Sequence, residues 1–109
     1  MNEDQAIAAF AALSNKTRLR VLKALVAAGS AGLSAGQIAQ QVQGSPSRTS
    51  FHLAAMADAG LIRQHRQARQ MIYTVDFAAM ASVVQYLLQD CCANDPAVLS
   101  CCAVPMGRT

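Results

Sequence analysis

At 109 residues and a net charge of +3, the chain has the size of one domain, and its modest core makes a shared surface with a second copy expected. No stretch of about 18 apolar, uncharged residues is present, which argues against a membrane span. The acidic opening MNEDQ is unlike the basic start of a secretory signal, so a cytoplasmic protein is expected.

Ile7, Phe10 and Leu13 recur three apart, predicting a short amphipathic helix over roughly 4–13. Asn15 is a plausible cap for a second helix, in which Leu19, Leu22, Leu25 and Val26 keep helical spacing until Gly29 ends it. Lys16, Arg18, Arg20 and Lys23 make the polar face of this helix basic. Gly32 marks a turn, and Ser34–Gln37 has the S-x-x-Q form of a capping box, opening a short helix that Gly44 closes. Ser45 as cap, Pro46 at the first helical position and Gly60 beyond the end frame a fourth helix. In that helix Phe51, Leu53 and Met56 are assigned to apolar contacts, and Arg48, Thr49 and His52 to the outer face.

From Leu61 to Val75 the period changes to two, predicting a hairpin with its turn near Gln67–Arg69, although that turn lacks Gly or Asn. A last helix runs from Phe77 to about Asp90, with an apolar stripe of Met80, Val83, Val84, Leu87 and Leu88 leading to Cys91. The stripe is wide enough to pack on the core and on another subunit together. The expected fold is therefore mostly α with a β-hairpin wing: a winged helix-turn-helix, homodimeric through its N- and C-terminal helices. Residues 1–92 form the DNA-binding and dimerisation domain and 93–109 a flexible tail.

A recognition helix needs short polar side chains near its N-terminus to reach base edges, and cations for phosphates. Ser47, Arg48, Thr49, Ser50 and His52 fit that demand, with Arg48 suited to a bidentate guanine contact. In the hairpin, Arg63, His65, Arg66 and Arg69 are placed along the DNA backbone or minor groove, where contacts are largely sequence-blind. Double-stranded operator DNA is the expected partner.

All four cysteines lie near the C-terminus as two adjacent pairs, Cys91-Cys92 and Cys101-Cys102. In a reducing compartment, clustered thiols more often bind metals or sense redox state than staple a fold. A trivalent arsenic ion is soft and prefers three thiolates in a pyramid, and a methylated arsenical needs only two. A tetrahedral zinc or cadmium site could use the same sulfurs, though adjacent cysteines chelate one metal less comfortably. Thiol oxidation or persulfidation is the third reading. No Cys-x-x-Cys stands at a helix N-terminus to lower a thiol pKa, so no enzyme and no catalytic cofactor are expected.

The stretches LSNKTRLRVLKAL (13–25), SPSRTSFHLAAMADAGLI (45–62) and RQARQMIYTV (66–75) resemble the ArsR/SmtB family of small metal-responsive repressors. The resemblance implies a dimeric winged-helix repressor that holds a palindromic operator when empty and leaves it when an inducer ion binds. Ser34 and Gly36 stand where many arsenic- and cadmium-responsive relatives carry a C-x-C pair. Asp76 matches the first ligand of zinc-responsive relatives, but the next ligands fall on Ala78, Gln89 and Cys92. Both common sites are thus missing. By resemblance, members with cysteine pairs after the last helix are arsenic sensors. Trivalent arsenic, antimony or an organoarsenical is accordingly the expected inducer, held by Cys91, Cys92, Cys101 and Cys102.

Overall fold

The computed structural model describes residues 1–102, with the backbone alone for Cys101 and Cys102. Helix α1 (Glu3–Leu13) starts from a capping box between Asn2 and Gln5, and α2 (Lys16–Ala28) from Asn15, whose side chain accepts from the Arg18 N–H. A 3₁₀ turn (Gly29–Ala31) leads to a two-residue strand, β1 (Leu33–Ser34). The expected Ser34–Gln37 box opens α3 (Ala35–Val42). Gln43, in the left-handed region at φ 56°, turns the chain toward α4 (Pro46–Asp58).

Strands β2 (Ile62–Gln67) and β3 (Gln70–Val75) form the wing, and β1 joins as the third strand in the antiparallel order β1-β3-β2. Gln67 pairs with Gln70, so Ala68 and Arg69 make the turn. Ala68 takes φ 57° there, a conformation glycine adopts more cheaply. Gly32 has no substitute: at φ 69°, a Cβ would lie 2.5 Å from the Tyr73 carbonyl oxygen. This close approach lets β1 lie against β3.

Helix α5 (Phe77–Tyr86) is capped by Asp76 and widens into a π turn over Leu87–Cys91. A further short helix, α6 (Pro96–Cys102), occupies part of the stretch expected as a loose tail. Residues 103–109 of that tail lie outside the described residues.

Leu25, Ile38, Leu53, Met56 and Leu61 are fully enclosed where α2, α3, α4 and the wing meet. Helix α1 contributes Ala6, Ala9 and Ala12 to the interior and turns Ile7 and Phe10 outward. Small residues let α1 lie close to the bundle, while Ile7 and Phe10 stay exposed and Leu13 packs against the edge of the core. Helix α5 divides likewise: Val83 is buried, whereas Val84 and Leu87 are exposed.

Candidate functional site

Helix α4 begins with the Ser45 hydroxyl accepting from the Arg48 N–H at 3.2 Å, and Pro46 occupies the first turn. With the first turn closed this way, the helix phase decides which side chains face out. Thr49, Leu53 and Met56, spaced four and three apart, form the buried stripe; Ser47, Arg48, Ser50 and Phe51 are exposed. Two assignments made by residue type are corrected here. Thr49, expected to touch DNA, is 1% exposed and cannot reach a base edge from inside the core. Phe51, expected among the apolar contacts, is 66% exposed. Residues 51 and 53 fall on opposite sides of a helix with about 3.6 residues per turn, so both cannot face the core.

His52 lies half-buried beside this face, and its Nδ1 accepts from Arg18 Nε of α2 at 3.0 Å. That bond needs the neutral imidazole with its proton on Nε2. Burial, and then the charges of Arg18 and Arg48, lower the His52 pKa below its ordinary value, which favours the same neutral form. The Arg18 guanidinium also stands 5.9 Å from the centre of the Phe51 ring, and the Phe51 and His52 rings meet edge-on at 5.8 Å. Arg18 thus ties α2 to the outward face of α4. Its basic type was visible in the sequence; its partners, distant in the chain, were not.

Beside the N-terminus of α4 is a groove of about 280 Å³ lined by Thr17, Ser45, Arg48 and His52 among others. A helix N-terminus next to an arginine favours anions.

On the wing, Arg63, Arg66 and Arg69 are all exposed. Arg63 differs from the others: its Nε donates to Asp76 Oδ2 at 2.9 Å, the one ion pair among the described residues. Asp76 Oδ1 accepts from the Ala79 N–H at 3.0 Å, capping α5. The backbone bond from Ala79, followed by the Arg63 bond, holds the Asp76 carboxyl below the usual carboxylate range. Asp76, aligned with a metal ligand of relatives, is thus occupied as a helix cap. Arg66 and Arg69 have no carboxylate partner among the described residues.

At the far end of α5, Cys91 is exposed and Cys92 half-buried, both as free thiols. The positive φ values of Ala93 and Asn94 reverse the chain, and Asp95 Oδ1 accepts from the Ala97 N–H to start α6. Cys101 and Cys102 end α6, and their side chains lie outside the described residues. Among the described residues, no three His, Cys, Asp or Glu side chains are grouped to hold a metal ion.

A helix-turn-helix unit with an exposed polar helix and a basic hairpin beside it defines a winged helix-turn-helix DNA-binding protein. The profile of the helix-turn-helix domain family matches residues 13–65. The HTH-type transcriptional regulator YgaV of Escherichia coli K12 is 38% identical over 84 residues, covering 77% of this chain and 83% of that protein. The chain belongs to the family of that relative, the HTH-type transcriptional regulators.

A predicted DNA-binding transcriptional regulator from E. coli matches structurally at TM-score 0.60 and 36% identity, covering 75% of this chain and 85% of that one. A homodimeric winged helix-turn-helix DNA-binding domain from Mycobacterium bovis matches at TM-score 0.62 and 26% identity, over 80% and 84% of the two chains. An ArsR-like regulator from Rhodococcus shares the fold at TM-score 0.74 and 24% identity, over 94% and 93%. Among the described residues no helix is long and apolar enough to cross a membrane.

Proposed function

We propose that this regulator is a homodimeric repressor that holds operator DNA through α4 and the wing and releases it on binding trivalent arsenic through its cysteines. Ser47, Arg48 and Ser50 face the major groove in this reading, and Arg66 and Arg69 follow the phosphates. Exposed Ile7 and Phe10 on α1, and Val84 and Leu87 at the end of α5, supply the apolar surface for a second copy. The relative from M. bovis is itself homodimeric.

The observation that carries the effector reading is position. Cys91 and Cys92 close the same stretch of chain that carries Val84 and Leu87, so a ligand on these thiols acts beside the dimer surface. Two vicinal thiolates, with a third from Cys101 or Cys102, match the pyramidal preference of trivalent arsenic or antimony. A methylated arsenical needs two. Tying α6 to the end of α5 selects a dimer geometry that fits the operator poorly, and a useful switch needs a coupling of about 1–3 kcal/mol.

The test is fluorescence anisotropy with DNA upstream of the protein's own gene, under reducing conditions, titrated with inorganic and methylated trivalent arsenic, cadmium and zinc. Stoichiometric release by an arsenical is expected. Cys91→Ser with Cys92→Ser is expected to bind DNA as wild type and to ignore arsenic. Release by cadmium or zinc alone, or only by an oxidant or persulfide, would replace arsenic as the inducer.

A further inference from the structure

Phe51 is an anomaly on the DNA-facing side of α4. Its neighbours there, Ser47, Arg48 and Ser50, are hydroxyl and guanidinium donors, yet its ring is 66% exposed. At about 3.6 residues per turn it points almost directly away from the Thr49–Leu53–Met56 stripe, the direction from which a groove is entered. The ring is also braced. His52 meets it edge-on at 5.8 Å, and the Arg18 guanidinium lies 5.9 Å from its centre while bonded to His52 at 3.0 Å.

We propose that Phe51 is a specificity-determining residue that packs on the C5-methyl group of a thymine in each operator half-site. This rests on the reading of α4 as the recognition helix. The thymine methyl is the apolar feature of the major-groove edges, and a phenyl ring is among the side chains that contact it. The surrounding charge fits the same occupant. Arg18 stands by the ring and Arg48 comes one turn before it on α4, and cations near an apolar contact suit a groove walled by phosphates. A protein-docking patch needs large apolar neighbours, and one turn either side of Phe51 on α4 stand Ser47, Arg48, Ala54 and Ala55 instead. Arg18 and His52 act as positioning residues that hold the ring angle.

The experiment begins by selecting a duplex from a random library with the full chain. Each thymine of that duplex is then replaced by deoxyuridine, which removes the methyl and leaves every hydrogen-bonding group. Affinities are measured for the wild type and for Phe51→Ala, whose thermal unfolding is expected to match the wild type because the ring is exposed. At one thymine per half-site the replacement is expected to weaken wild-type binding about fourfold, the worth of one buried methyl, and to leave Phe51→Ala unaffected. Equal penalties in both proteins, or none in the wild type, would overturn the inference and leave the repressor reading standing. Failure to select any DNA would remove both.

Discussion

The two ends of the molecule are finished to different degrees within one chain. At the DNA-facing end, α3 and α4 each have a side-chain cap, β1 pairs with β3, and Arg18 bonds α2 to α4 through His52. On α1 and on α5 with the turn that follows it, by contrast, Ile7, Phe10, Val84 and Leu87 stand in solvent, and the last long helix widens into a π turn that stops at two free thiols. The reading head is organised before DNA arrives. Under the proposed function the other region serves a second copy and a ligand, and such a division would keep groove-reading groups in a fixed frame while leaving the frame's placement in a dimer adjustable.

That contrast can be broken first at the reading end. Gly32→Ala is expected to cost about 3 kcal/mol or more in urea unfolding. It adds a methyl 2.5 Å from the Tyr73 carbonyl at a positive φ, where a left-handed residue alone costs about 1–2 kcal/mol. A change below 1 kcal/mol would mean that β1 is not needed to seat the wing.

Under the proposed function, the exposed apolar faces of α1 and α5 answer to assembly and not to folding. Ile7→Glu combined with Val84→Glu alters residues 58% and 48% exposed, so the monomer is expected to keep its helicity and unfolding midpoint. Sedimentation is expected to show a monomer, and operator affinity to fall about a hundredfold as linkage between half-sites is lost. A variant that remains dimeric would place the subunit contact elsewhere.

The smallest effect concerns the join between wing and α5. Asp76→Ala removes a helix cap and the Arg63 partner, and is expected to cost about 1 kcal/mol. Because the folded pKa of Asp76 lies below its unfolded value, the wild type holds this contribution above the ordinary carboxylate range. It loses it as pH falls through the lower, folded value. In urea titrations the difference between the two proteins is expected to be smaller at pH 3 than at pH 5.

Much of the reading end was legible in advance, because helix caps and alternating strands are local signals. Asn15, Ser34 with Gln37, and Ser45 all cap the helices that their spacing announced. The order of helices followed by a hairpin was legible for the same reason. Direction was harder to read than existence. On α1, large apolar side chains were the natural choice for the inner face, yet the alanines pack inward. On α4 the exchange of Thr49 and Phe51 follows once the 49–53–56 phase is taken over residue type, a signal present in the sequence and passed over. The short α6 leaves little trace in the sequence because it is a seven-residue helix opening on a proline in a stretch expected to be loose.

By itself, the sequence determined helices α1 to α5 and the hairpin, the caps of α2, α3 and α4, and that all thiols gather beyond the last long helix. These depend on neighbours a few residues apart. Only the tertiary structure decided that Arg18 engages His52 and Phe51, that Asp76 is occupied by Arg63 and the α5 cap, and which face of α1 is left open. Those outcomes depend on helices meeting across long chain separations, where close packing allows one rotation of each helix and leaves the other faces to solvent.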